Sequence, residues 1–589
     1  MPKKPKRQDP KPGQPNKPAS PSPGQLAQSD AHTLHSMSVG ALPILNRILE
    51  RMKLEEFFQK LLKPDSSRTR ISTPRALLIL VRNLLISREP IYGIGEWAAQ
   101  HAPDLLGLSP ADLSGFHDDR LGRALDRLFE ANEAELVMDV VRWVIQEFGL
   151  SLEEFHNDGT SVSVFGAYTE ADEESVQRGR KTVAITYGHS KAHRPDLKQL
   201  LYNLTITEDG GVPVYFTTHS GNTVDDKTHC DTWNLLRQLV GRPDFLYVAD
   251  CKLASTDNMK YIHRQHGRFV TVLPATRKED RQFRQRLAES DPITWNLVYR
   301  VYNDRDELQD TFRAYSEELL TKEKYRLWWF HSTRKARRDA SSRLSRIDRA
   351  IQDLSELRQR LLGSRPRLRM VEQVQPVVDE ILKQYQVEQL LRVTLWQCDR
   401  PDYKQEGPGR PSENTKYVKH SCYYCHLEWE IDPQALTEAK TSDGVFPLIT
   451  NTSELTAEEV LRAYKRQPII EKRFSQLKTD FAVAPIYLKS VSRIQALFCV
   501  YFFSLMVQTL LERELREAMQ RKGLSSLPLY PEGRPCKKPT ARRIIDVFEP
   551  IQRHRLETGH TTQILTTKFT DLQKSILKLL GLNSQAYDC

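Results

Sequence analysis

The sequence predicts an α/β protein: a mixed sheet domain with a large insertion, flanked by a helical N-terminal domain and a helical C-terminal region. Three observations predict it. Apolar residues recur at three- and four-residue intervals through 33–150. From 154 onward, β-branched and alternating runs interleave with helical ones in the β-α-β-α-β succession of a sheet domain. That succession loses its regularity over 276–440, which reads as the insertion, and 441–515 reads as the second part of the sheet domain.

Taken in order, residues 1–32 form a basic tail with eight prolines in its first 30 positions. It has too few large apolar residues to offset the entropy of ordering, so disorder is expected. Helices are expected at 41–58, 74–86, 119–130 and 134–148. The amphipathic stretch 121–129 sets Arg123 and Arg127 opposite its apolar face, which suits either a helix lying in a DNA groove or a packing module. Within 151–275, strands are expected at 154–165, 182–187, 199–207, 212–218, 245–250 and 269–273. Helices are expected at 225–239 and 256–266. Asp209-Gly210-Gly211 is a hairpin turn signal.

In the insertion, 332–363 is a charged helix with Leu344, Ile347, Ile351, Leu354 and Leu361 near heptad spacing, expected to pair with 374–391 as a hairpin. Strand-like pieces follow at 392–397 and 423–431, and another at 445–450. Trp328 and Trp329 read as strand packing, with base stacking as the alternative. The 18 residues 494–511 carry no charge, just enough to span a bilayer. Gln495, Ser504, Gln508 and Thr509 interrupt them and no second span pairs with them, so a helix buried in the sheet domain is expected and no membrane. The region 516–589 reads as helical with a proline-rich break at 527–539.

A net charge of +10 and a pI near 9.0 suit a polyanionic partner. Eight cysteines in 589 residues fit a reducing compartment rather than a disulfide scaffold. Cys422, Cys425 and His426 lack the second ligand pair that zinc requires and read as an aromatic-rich strand. The lysines at the start have no apolar run behind them, so no secretory signal is expected and a cytoplasmic location is.

Three acids stand where chemistry is expected. Asp158 lies in the first strand of the sheet domain, and Asp250 ends a later one. If those strands are neighbours, both carboxylates point to one sheet edge, where α/β sheets bind ligands. The third is Glu471, in Tyr464-x2-Gln467-x3-Glu471-x6-Lys478. Helical spacing lines these residues up on one face, with Pro468 opening the helix that carries Glu471 and Lys478. Two acids with a third from a helix could hold two Mg²⁺ ions, hard cations that prefer oxygen ligands, for an in-line phosphoryl displacement.

The segments His156-Asn-Asp158-Gly-Thr-Ser161, Tyr247-Val-Ala-Asp250 and Tyr464 to Lys478 resemble the three catalytic blocks of DDE-type insertion-sequence transposases. The group in question is known by a Tyr-x2-Arg-x3-Glu-x6-Lys pattern. Gly188 to Lys198 is similar to its linking segment, and Gln467 departs from it where the pattern has Arg. The resemblance implies a ribonuclease H-like fold whose first and fourth strands are adjacent. It makes Asp158, Asp250 and Glu471 the catalytic and metal-binding residues, with Mg²⁺ as cofactor and Mn²⁺ able to substitute. Tyr464 and Lys478 then contact DNA phosphates; Gln467 occupies the arginine's place, and the neighbouring Arg466 is expected to swing onto the same phosphate. The partners implied are the terminal inverted repeats of a mobile element and its target DNA. A homodimer synapses two ends in cut-and-paste transposition, in a bacterial cytoplasm and on the nucleoid when DNA is bound. The alternatives are a ribonuclease H-like nuclease or resolvase without strand transfer, and an inactive transposase-derived DNA-binding protein.

Overall fold

The computed structural model describes residues 32–168, 172, 174–189, 194–223, 228–289, 293–303, 305–315, 317–363, 367–481, 486, 488–558 and 561–588. The basic tail at 1–31 and positions 190–193 of the linking segment lie outside them. The principal elements begin with β1 (His32–Ser38), α1 (Leu42–Arg51), α2 (Leu54–Leu61), α3 (Thr73–Ile86), α4 (Asp118–Glu130) and α5 (Glu133–Phe148). The sheet domain opens with β2 (Glu154–Val164), β3 (Lys198–Thr207), β4 (Pro213–Ser220), α6 (His229–Val240), β5 (Leu246–Ala249), α7 (Thr256–Arg264), β6 (Arg268–Val272) and α8 (Lys278–Ala288). Next come β7 (Trp295–Tyr302), β8 (Leu308–Tyr315) and β9 (Arg326–Ser332), then α9 (Thr333–Leu361), α10 (Val371–Tyr385), β10 (Leu391–Gln405), β11 (Tyr417–Ile431) and α11 (Pro433–Thr441). The chain closes with β12 (Val445–Thr450), α12 (Ala457–Arg466), α13 (Pro468–Ser475), α14 (Val491–Arg521), α15 (Ala541–Phe548), β13 (Gln552–Thr558), β14 (Thr561–Thr566) and α16 (Asp571–Leu579).

One mixed sheet organises the molecule, in the order β4-β3-β2-β5-β6-β12-β9-β8-β7. β2, β5 and β6 run parallel, and the other neighbours are antiparallel. Strands β7 to β9 therefore extend the sheet, although they fall within the 276–440 segment read as insertion. The excursion out of the sheet is narrower: the α9–α10 helical hairpin, the β10–β11 ribbon and α11, held by their own core of Ile347, Leu354, Val374, Val378 and Leu427. Trp329 is interior to β9, its ring stacked 3.9 Å from Phe283, so packing and not base stacking occupies it.

Helix α14, which contains the uncharged stretch 494–511, is long and apolar enough to cross a membrane by length and composition, yet that stretch lies buried in the protein. It packs against α1, α3, α4, β4 and α15. Its interior hydroxyls bond back along the helix, Ser504 to the Val500 carbonyl and Thr509 to the Met506 carbonyl, which spares them a desolvation cost.

Several expectations are corrected. The helix expected at 41–58 is two helices, because Lys53 adopts a left-handed φ of 51° between them. The strand expected at 182–187 reduces to an isolated bridge between Thr186 and Gln199. The terminal regions are not all helical: β1 pairs with β13, which pairs with β14, so the first described residues complete a sheet with the C-terminal region. α4 turns most of its length into the core, and Arg127 is engaged by the Lys63 and Pro64 carbonyls, while Arg123 remains exposed.

Candidate active site

The register between β2 and β5 decides where the two aspartates stand. Asn157 faces Ala249 across the parallel pair, so the next residues on each strand, Asp158 and Asp250, leave the ladder side by side. Side chains alternate along a strand. Val248 packs in the cluster beneath α12, with Val460 and Leu461, while Ala249 packs in the main core on the other face. Asp250 therefore turns to the face covered by α12. His156 contacts the residue joining α12 to α13, so Asp158, two positions on, turns to that face as well. Asp158 Oδ1 accepts from the Gly159 amide at 2.7 Å, and Asp250 Oδ1 accepts from the Lys252 amide at 3.0 Å.

The helix carrying Glu471 is anchored at both ends. At its start, Gln467 ends α12 and caps α13, with Pro468 as the first residue of α13, as the missing proline N–H favours. Gln467 has helical angles (φ −51°, ψ −38°), so the chain does not break before the proline. Its amide is buried and donates from Nε2 to the Asn157 carbonyl at 3.0 Å. That bond fixes the amide's orientation, so Oε1 accepts from His156 Nδ1 at 2.9 Å. His156 Nε2 lies 2.8 Å from Glu154 Oε1, and Arg466 grips the same carboxylate with Nε at 2.7 Å and with a second nitrogen on Oε2. Burial works to raise the Glu154 carboxyl, but His156 and Arg466 overcome it and hold it below the usual carboxylate value.

Farther along α13, Arg473 is wholly buried. It donates to the carbonyls of Gly211 (3.0 Å) and Gly210 (2.5 Å), to Gln476, and to Glu512 of α14 at 3.0 Å. The turn it grips needs its glycines. Both have positive φ, and a Cβ on Gly211 would stand 2.5 Å from Ile469 of α13. The helix is thus seated on the β3–β4 turn, on β2 and on α14.

Beyond Ser475 the chain forms a π-helical turn, Gln476–Asp480. Such turns insert an extra residue and often mark functional sites. Lys478 consequently does not continue the α13 face at seven-residue spacing, as expected from sequence. Its Nζ donates to Thr160 Oγ1 at 2.7 Å, and Thr160 is on the same side of β2 as Asp158, about 6.6 Å farther along the strand. Tyr464 packs its ring 6.3 Å from Phe446. Burial raises its hydroxyl pKa first, and the charges of Asp250, Cys251 and Glu471 add to that, so Asp250 and Glu471 are both electrostatic neighbours of this phenol.

Asp158 and Asp250 thus stand side by side, with Lys478 reaching the same face of β2 at Thr160 and both Tyr464 and Glu471 carried by the helices that pack over that face. Gln467 and Arg466, expected to meet a phosphate, are instead turned inward to β2. Among the described residues no protein cation pairs with Asp250 or Glu471, a donor set of hard oxygens that suits a divalent cation. The one three-ligand cluster within 4.8 Å among those residues is the exposed His117, Asp118 and Asp119, none of them one of the three acids. A two-ion site does not require all three acids to meet at one ion. Sequence reasoning missed Glu154, His156, Thr160 and Arg473. The alternation Glu154-x-His156-x-Asp158-x-Thr160, four polar side chains on one face of an apolar strand, was the available signal.

A family model described as a transposase DDE domain matches residues 155–507. One described as a domain of unknown function (DUF4277) matches 34–142. No curated protein matches the chain. Among solved structures, the chain is similar to the piggyBac transposase synaptic complex with hairpin DNA, at 8% identity and a TM-score of 0.34, over 86% of this chain and 78% of that one. The Mos1 mariner paired-end complex with Mn is similar at 12% identity and a TM-score of 0.13, over 38% of this chain and 65% of that one.

Proposed function

The chain belongs to the transposase DDE domain family and is a DNA transposase, an enzyme acting on DNA; from that premise we propose that Asp158, Asp250 and Glu471 are its catalytic carboxylates. The observation that carries this is the Asn157–Ala249 register, which delivers two acids from adjacent parallel strands to the edge that Tyr464 and Glu471 overlook. The strand order β4-β3-β2-β5-β6, with the first strand beside the fourth, supports a ribonuclease H-like reading of this half of the sheet. The Tyr464, Glu471 and Lys478 spacing supports the Tyr-Arg-Glu-Lys group, with Gln467 as its departure.

In this reading the three carboxylates hold two Mg²⁺ ions, for which Mn²⁺ substitutes. When bound, these supply an activated water for strand cleavage and stabilise the leaving oxygen. The chain's own residues set the geometry. Lys478, at Thr160, offers its ammonium to a phosphate beside the acids, and Tyr464 offers its hydroxyl. Gln467, Arg466 and Arg473 keep the Glu471 helix at a fixed height over β2, so that the third acid meets the first two. The substrates are the terminal repeats of the element and its target DNA, brought together by a homodimer in the bacterial cytoplasm, on the nucleoid.

Asp158→Asn, Asp250→Asn and Glu471→Gln should each abolish Mg²⁺-dependent nicking of a duplex carrying the element's end while leaving end binding intact. Nicking by Asp250→Asn at the wild-type rate would remove the assignment. A strand-transfer assay on pre-nicked ends separates transposition from cleavage alone.

A further inference from the structure

Helix α9 leaves β9 beside the candidate active site, and none of its first ten residues, 333–342, is buried. Its buried side begins at Arg343 and continues through Ile347, Ala350, Leu354, Leu357 and Leu361. Another side carries Arg334, Arg338, Ser341, Ser345 and Arg349, all exposed. Their spacing of 4, 3, 4 and 4 makes a single stripe, about 22 Å long from first to last. Of the acids on this part of the helix, Asp339 is turned to Lys335 and the Gly444 amide, and the exposed Asp348, three residues beyond Ser345, borders the stripe only at its far end. A helix stabilising itself would alternate charge at four-residue spacing, whereas Arg334 and Arg338 repel each other there. The stripe therefore does nothing for the helix alone.

Its position is fixed by packing. Lys465 of α12 sits over the Phe312 ring at 4.6 Å and over Phe446 at 5.5 Å, and Phe446 is the ring that Tyr464 meets. Phe312 pairs across the sheet with Ser332, the residue that caps α9. A continuous path thus runs from Tyr464 through Lys465 to the first turn of α9. Burial holds the Lys465 amine below its usual value. Asp310 opposes this, and Arg338 and Arg334 reinforce it, so both guanidiniums are electrostatic neighbours of Lys465.

We propose that the Arg334–Arg338–Ser341–Ser345–Arg349 stripe of α9 is a binding surface for the phosphate backbone of duplex DNA leading away from the active-site edge. This rests on the transposase reading of that edge. Guanidinium forks match phosphate oxygens bidentately, and serine hydroxyls between them donate to phosphates while letting the backbone come close. The surface reads no bases, so it holds any sequence that passes the site.

The test is the salt dependence of duplex binding by the full chain. Arg334→Gln with Arg338→Gln removes two phosphate contacts and should flatten the slope of log affinity against log salt by about 1.8. Between 50 and 200 mM salt the wild type should then lose about twelvefold more affinity than the variant. Ser341→Glu with Ser345→Glu, both at exposed positions, should weaken binding in low salt and gives a second reading should the arginine pair fail to fold. Lys574→Gln with Lys578→Gln, remote on α16, should leave the slope unchanged. An equal change there would mean that only net charge is felt and would overturn the proposal. So would a wild-type slope in both α9 variants, or a loss of self-association in place of DNA affinity. If the wild type nicks end DNA while the α9 variants keep its slope, the inference alone falls; if the wild type neither binds nor nicks DNA, the active-site reading falls with it.

Discussion

Replacing Gln467 with methionine should uncouple the Glu471 helix from β2 without touching an acid. The side chains are of similar length, so the cavity term is small. What is lost is specific: the bond to the Asn157 carbonyl at 3.0 Å and the bond from His156 Nδ1 at 2.9 Å, both buried. Each partner left unsatisfied costs about 1–3 kcal/mol, so the pair costs about 2–6 kcal/mol. That is a large fraction of the ~5–15 kcal/mol that holds a typical domain together. The loss is local, so hydrogen exchange over 154–158 and 468–478 should speed up while the amides of α14 hold. If only ~1.4 kcal/mol of it reaches the transition state, single-turnover nicking falls about tenfold. End affinity should stay at the wild-type value, because Gln467 faces the protein. Gln467→Arg, which puts an arginine where the pattern that the Glu471 block resembles has one, sharpens the test. Its guanidinium would stand beside Arg466 and His156 in a buried site, and both exchange protection and nicking should fall. Tighter end binding and faster nicking by Gln467→Arg would refute the reasoning and return this position to the DNA.

Four further outcomes follow from the same geometry. Arg473→Met takes from the buried Glu512 carboxylate its closest cation, leaving Arg516 at 3.2 Å, and should cost about 3–5 kcal/mol in thermal melts; Arg473→Met with Glu512→Leu should recover part of it. Gly211→Ala, at φ +64° and with its new Cβ 2.5 Å from Ile469, should lower both Tm and nicking, whereas Gly241→Ala, strained at φ +79° but with nothing within 4 Å, should lower Tm and spare nicking. Burial opposes ionisation of Glu279 and Glu323, yet Arg277 dominates and holds both carboxyls at about 2. Folded-state values below the unfolded ones mean that this stability is present above about pH 4.5 and is lost as pH falls toward 2, so Arg277→Met should flatten the fall in urea midpoint between pH 6 and pH 3. Lys478→Ala should reduce the salt slope of end binding by about 0.9 and slow nicking, and Lys478→Arg should restore the slope.

What the sequence disclosed and withheld divides along the distance between partners. α3, α4, α5, β2 and the β3–β4 hairpin were legible because their signals are local: a 3.6-residue or two-residue period and a turn whose glycines need positive φ. The break at Lys53 was not, because no glycine or proline marks it. β1 was invisible because its partner β13 lies more than 500 residues away and has no period of its own to advertise. β7 was missed because it is the sheet's last strand, with both faces partly exposed, so no alternation of apolar and polar residues betrays it. The site repeats the pattern. Three acids could be picked out by spacing, since spacing is what a strand end and a helix turn preserve. The role of Gln467 could not, since its partners are 311 and 310 residues back. At Lys478 the extra residue of a π turn undoes the arithmetic of seven-residue spacing, and the lysine reaches β2 by a contact that no periodicity encodes. Glutamine at position 467 therefore suits its surroundings: with Arg466 already paired to Glu154 and His156 needing an acceptor, a neutral side chain with one donor group and one acceptor is what the seam between β2 and α13 can hold.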